Sequence, residues 1–151
     1  MSVKDLTREV PRSSYDTLDG YPWLARLIDK VRALGAGMIG EYTPYPCGGD
    51  QIFLGAIGVA AEALKAEIDR GASDDVIVAW LKTNGATGHA DQVGDLIAQL
   101  HAPIEGGEPL AWLNTAKEAL ALARPNLDVA RATNFIHLIC LEEGHPIPAR
   151  P

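Results

Sequence analysis

Leu24-Ala25-Arg26-Leu27-Ile28-Asp29-Lys30-Val31-Arg32-Ala33-Leu34, entered through Gly20-Tyr21-Pro22 and left at Gly35, sets the reading of the whole chain. Leu24, Leu27, Ile28, Val31 and Leu34 recur at the spacing of one face of an α-helix, and proline before and glycine after mark its ends. The same logic works outward. Asp50 can cap a short helix over 51–57 that stops at Gly58, and a third helix runs over 60–70 before Gly71. Ser73 reads as the cap of a fourth, with Asp74 and Asp75 in the first turn, where the helix dipole favours anions, and a stop near Gly85. Val93, Leu96, Ile97 and Leu100 form a further helical face. Pro109 opens a sixth helix that Pro125 closes, and Asn126 can cap a last one reaching Glu143 and Gly144.

No convincing alternating strand interrupts this series, so the expected fold is all-α: a compact bundle of six to seven helices. One domain is expected over residues 1–151, with an extended arm at 1–19 and an extended tail at 145–151. Two features exceed a minimal bundle. Residues 35–50 hold five glycines, two prolines and two tyrosines in sixteen positions, and loops of that length in compact domains usually carry function or are disordered. Phe135-Ile136-His137-Leu138-Ile139-Cys140-Leu141 is apolar at almost every position, as in a helix buried on most sides.

The chain has 151 residues, 47% of them apolar and 22% charged, which is ordinary globular usage. Its formal net charge is −7, with no basic cluster. That removes the electrostatic term that dominates nucleic-acid affinity and disfavours an anionic membrane surface, so neither nucleic acid nor membrane is an expected partner. The first residues show no apolar stretch behind a basic start, and a cytoplasmic location is expected. Cys47 and Cys140 are too few for a disulfide framework.

Several stretches, taken together, form a signature: Pro11-Arg12-Ser13, Gly20-Tyr21, Leu24 to Lys30, Arg32-Ala33, Gly40-Glu41-Tyr42, Cys47 with Asp50, Gly71-Ala72-Ser73-Asp74, Trp80 and Leu141-Glu142-Glu143-Gly144. It resembles a family of short bacterial proteins catalogued as a domain of unknown function. The resemblance is densest over residues 5–42 and does not extend with assurance over 85–127. It implies no reaction. The family pattern has Cys-Pro-Leu-Asp where this chain has Cys47-Gly48-Gly49-Asp50, and Asp, Asp and Arg where it has His137, Cys140 and His145.

The residues themselves offer three places for chemistry. Arg26, Asp29 and Lys30 lie opposite the apolar face of the first helix. They read either as a solvated face or as cations for an anionic ligand, with Glu142 or Glu143 as an internal alternative. The 35–50 loop brings Glu41 and Asp50, two carboxylates able to act as acid and base if their surroundings differ, near Tyr42, which offers a hydroxyl and a ring. The plainer reading makes Asp50 a cap and Tyr42 a lid on the core. His137 and Cys140, three apart on one helix, could supply two zinc ligands or a thiol with its base, but two ligands do not make a metal site, and a histidine packed beside an apolar thiol is the commoner case. Dinucleotide, phosphate-loop, serine-hydrolase and zinc-protease motifs are absent, and no cofactor is expected.

The leading expectation is a small-molecule pocket formed by the first helix, the 35–50 loop and the last helix. In it Arg26, Asp29, Lys30 and Tyr42 would bind an anionic group, Glu41 or Asp50 would act as base, and His137 would carry a proton. The alternative is a protein interaction module or homodimer with no enzymatic activity.

Overall fold

A computed structural model describes residues 3–85, 108–132 and 135–147. The chain divides into two compact units, Met1–Ile97 and Ala98–Pro151.

The first unit opens with a feature outside the all-helical expectation. Strands β1 (Thr17–Leu18) and β2 (Tyr21–Pro22) pair antiparallel, Thr17 opposite Pro22 and Leu18 opposite Tyr21. Asp19 and Gly20 between them take φ of 49° and 85°, the left-handed pair that a two-residue hairpin turn requires. At two residues each, the strands are too short to show alternation, but the Asp-Gly dipeptide was a legible turn signal.

Four helices follow: α1 (Leu24–Gly35), α2 (Gly48–Ile57), α3 (Ala61–Asp69) and α4 (Asp74–Asn84). The glycine stops fall where expected after α2, where Gly58 is left-handed at φ 74°, and after α3, where Gly71 has φ 85°. Ser73 caps α4, its hydroxyl accepting from the Val76 N–H at 3.4 Å. The apolar face of α1 forms the centre of the unit, with Leu24, Leu27, Ile28 and Val31 all at zero exposure, and α1 packs on α3 and β1.

One boundary differs from the sequence reading. Helix α2 begins at Gly48 instead of residue 51, with Cys47 as its N-cap and Asp50 at the third helical position. Asp50 still caps: its Oδ2 accepts the Cys47 N–H at 2.9 Å, the glutamate half of a capping box supplied here by aspartate. Two glycines concealed the start because they carry no apolar period.

The second unit holds α5 (Glu108–Ala123), a 3-10 turn at Val129–Arg131 and α6 (Phe135–Glu143). The single last helix expected from Asn126 onward is therefore two pieces. Ala132 is extended, with φ −79° and ψ 117°, and its carbonyl accepts from Lys117 Nζ at 3.0 Å, so the helical ladder stops there. Ala132, Leu138 and Leu141 are buried together, with Ala116, Leu120 and Ile147 packed on them. The helical face expected at residues 93–100 lies outside the described residues.

Candidate functional site

Helix α1 does not have a solvated face. Arg26, Asp29 and Lys30, opposite its apolar stripe, are buried at 5%, 5% and 2% exposure, which overturns the bland reading of them as surface charges. A charge inside a protein has to be matched by a partner, because desolvation otherwise costs several kcal/mol. The three residues find different matches and define three patches around the helix.

Lys30 meets Asp50. Its Nζ lies 3.0 Å from Asp50 Oδ2, and the two side chains are 3% and 0% exposed. The other carboxylate oxygen accepts the Trp23 indole N–H at 2.8 Å. Lys30 Nζ also donates to Cys47 Sγ at 3.0 Å. Asp50 thus ties α1, α2 and the residue before α1 together, and both its oxygens accept from protein donors. Trp23 is held there in a left-handed conformation, φ 69°, which is rare for a bulky side chain and persists because the surroundings fix it. Its ring leaves no room beside Gly49, where an added Cβ would lie 2.3 Å from Cζ2. Gly49 is therefore a packing feature of the Cys47–Asp50 segment, whereas Gly48 has open space beside it.

Arg26 stacks. Its guanidinium carbon lies 5.7 Å from the ring centres of both Trp23 and Tyr42, within cation–π range. Tyr42 is half-buried and Glu41 is exposed.

Asp29 points to the third patch. Arg12 grips it with a fork, Nη2 to Oδ1 at 3.0 Å and Nε to Oδ2 at 3.1 Å, while the Arg12 backbone N–H adds a bond to Oδ2 at 2.8 Å. The remaining arm, Nη1, reaches Asp74 Oδ2 at 2.8 Å. Asp74 also faces Arg32, whose Nη1 lies 3.0 Å from Oδ1. Arg32 Nη2 donates to the Ala72 carbonyl at 3.0 Å. Burial alone would raise the Asp74 carboxyl and lower the Arg12 guanidinium. The hydrogen bond between them and the neighbouring opposite charges outweigh it, so Asp74 is held below the usual carboxylate value and Arg12 above its own.

This third patch borders a cavity of about 530 Å³, lined by Lys4, Arg12, Asp29, Arg32 and the Ser73–Asp75 start of α4. Two polar atoms there are buried without a hydrogen-bond partner among the described residues, Arg32 Nε and Asp74 Oδ1. Arg32 and Asp74 are thus held as an ion pair through Nη1, while the guanidinium keeps its Nε–H with no acceptor among the described residues. A second cavity of about 460 Å³, lined by Leu18, Asp19, Asp75, Val78, Ala79 and Lys82, shares Asp75 with the first and holds a Lys82–Asp19 ion pair.

Of the residues singled out in the sequence, the structure joins Lys30 to Asp50 and Arg26 to Tyr42. Asp29 is separated from them into the Arg12 patch. His137 is half-buried on α6 of the second unit. Arg12, Arg32 and Asp74 belong to the signature, but the sequence gives none of them a binding role, and Asp74 reads there only as an anion in the first turn of α4. The available signal was their charge within otherwise apolar or turn-forming motifs. Among the described residues, no group of three or more His, Cys, Asp or Glu side chains is placed to hold a metal ion, and no helix is long and apolar enough to cross a membrane. Neither cysteine is in a disulfide; Cys47 is partly exposed and Cys140 is buried.

The model of a family described as a domain of unknown function, DUF5069, matches residues 8–145. No curated protein matches the chain.

Proposed function

We propose, from the premise that the chain belongs to the DUF5069 family, that it binds a small molecule bearing an oxyanion group, with the cavity beside Arg12 and Arg32 as the site. The observation that carries this reading is the pair of guanidiniums converging on one carboxylate at the edge of a cavity of about 530 Å³. That volume is in the range of small-molecule sites, roughly 300–1,000 Å³. Partly buried ion pairs of this kind add little net stability, so stability alone is a weak reason to build one.

The chemistry fits an anion held by fork-shaped donors, since arginine presents planar N–H pairs that match carboxylate and phosphate oxygens. The cavity also contains Asp29, Asp74 and Asp75. A ligand with a cationic group as well would find partners for both charges. Relative to the site expected from the sequence, Asp29 stays in the binding set, while Lys30 and Asp50 take a structural role because each already satisfies the other. Arg26 and Tyr42 remain proposed ligand contacts at a separate patch of the first unit, and Glu41, Asp50 and His137 remain unassigned to any step.

Native mass spectrometry of the protein purified from its own host tests this. A stoichiometric small-molecule adduct that disappears in Arg12→Gln supports the reading. A clean dimer or a protein partner, with no adduct, moves the weight to an interaction module.

A further inference from the structure

We propose that Asp74 is a displaceable stand-in for the ligand's oxyanion, closing the arginine site with the chain's own carboxylate when no ligand is present. The inference rests on the binding reading above and adds to it both a ligand class, carboxylate or phosphate, and a competitor built into the fold.

Arg12 and Arg32 come from different parts of the chain, one from the segment before β1 and the other from the last turn of α1. What they share is Asp74, each engaging one of its oxygens, Arg12 Nη1 on Oδ2 at 2.8 Å and Arg32 Nη1 near Oδ1 at 3.0 Å. This bridged arrangement is how a bound carboxylate or phosphate would lie between two guanidiniums.

The two halves of the arrangement are held very differently. Asp29 is locked by three hydrogen bonds from Arg12, including one from its backbone, and is 6% exposed as a side chain. Asp74 is 31% exposed as a side chain and sits at the first position of α4 on the cavity wall, with no backbone hydrogen bond from Arg12 of the kind that fixes Asp29. Arg12 would stay placed by Asp29 when Asp74 leaves, and Arg32 by the Ala72 carbonyl. The site is therefore preorganised without its occupant.

The fit of Asp74 is also incomplete. Arg32 is 8% exposed, yet its Nε has no acceptor among the described residues. A buried guanidinium N–H left without an acceptor is unfavourable. A free oxyanion is not tethered to the α4 backbone and can turn to meet the arm that Asp74 misses. It also lies beside the start of α4, whose dipole favours negative charge that Asp74 and Asp75 now supply.

The consequence is a measurable competition. A site occupied by its own carboxylate for about nine-tenths of the time or more binds a ligand about tenfold more weakly than the same site held open. Inorganic phosphate and succinate, titrated calorimetrically at constant ionic strength with chloride as control, are the probes. Asp74→Asn should bind one of them at least about tenfold more tightly than the wild type, and Arg12→Gln should abolish that binding. Which probe gains more separates the phosphate class from the carboxylate class. Because Asp74→Asn also touches the start of α4, the wild type carries an independent readout by NMR. Phosphate or succinate should shift the Arg32 Nε–Hε signal and the Asp74 side-chain carboxyl carbon together.

If the Arg32 signal moves while the Asp74 carbon stays, and the variant binds no more tightly, the stand-in is wrong and the cavity reading survives. If neither probe binds either protein and no arginine signal moves, both fail.

Discussion

Gly49 and Lys30 show how little freedom single positions have around α1. A Cβ at Gly49 would overlap the Trp23 ring at 2.3 Å, and Trp23 cannot retreat while its indole N–H is bonded to Asp50. Gly49→Ala should therefore destabilise the protein by about 1–3 kcal/mol, the usual range for overpacking, seen as a lower urea midpoint. Gly48, with open space at its Cβ, is the control that should tolerate alanine. Lys30→Met keeps the length of the side chain but leaves Asp50, at 0% exposure, without its counter-charge. Removing one partner of a buried pair typically costs about 3–5 kcal/mol. Lys65→Met, which breaks the half-exposed Lys65–Asp69 pair on α3, should change stability by less than about 1 kcal/mol. Equal losses in the two variants would mean that the Lys30 pair is not a buried one in solution.

At the scale of the element, α4 is the helix with the most explicit start. Ser73 caps it, and Asp74 and Asp75 occupy its first turn. Ser73→Ala should lower stability by about 1 kcal/mol, measured by thermal unfolding, because the Val76 N–H loses its acceptor. Helix α2 starts differently, with a thiol at the N-cap and a carboxylate reaching back from the third position. Its boundary was misplaced in the sequence because the Asp50 cap acts from inside the helix. The hairpin before α1 and the break at Ala132 are the other elements that local patterns did not deliver. Each depends on one or two residues, fewer than a periodicity needs.

For the whole molecule, the charged patches of the first unit tie its stability to pH. Asp74 titrates below its ordinary value of 3.8 because Arg12 and Arg32 outweigh its burial. A depressed carboxylate contributes stability that is present above its unfolded value and is lost as pH falls through the folded one. Wild type should thus lose stability relative to Asp74→Asn as pH drops below 3.8, and the gap between their unfolding free energies should narrow in that window. A gap that stays constant down to the acid transition would contradict the pairing. By itself, the sequence determined the helical class, the ends of α3 and α4, the apolar stripe of α1 and the position of the signature, because caps, glycine stops and period are local properties of adjacent residues. It did not determine which charges meet. Asp29 and Lys30 are neighbours in the chain, yet one pairs with Arg12 and the other with Asp50. Successive residues on a helix point about 100° apart, and what lies on each side is decided only when segments 17 and 20 residues away pack there. Burial of the charged side of α1, the Arg12–Asp74–Arg32 bridge and the cavity beside it all follow from that tertiary packing.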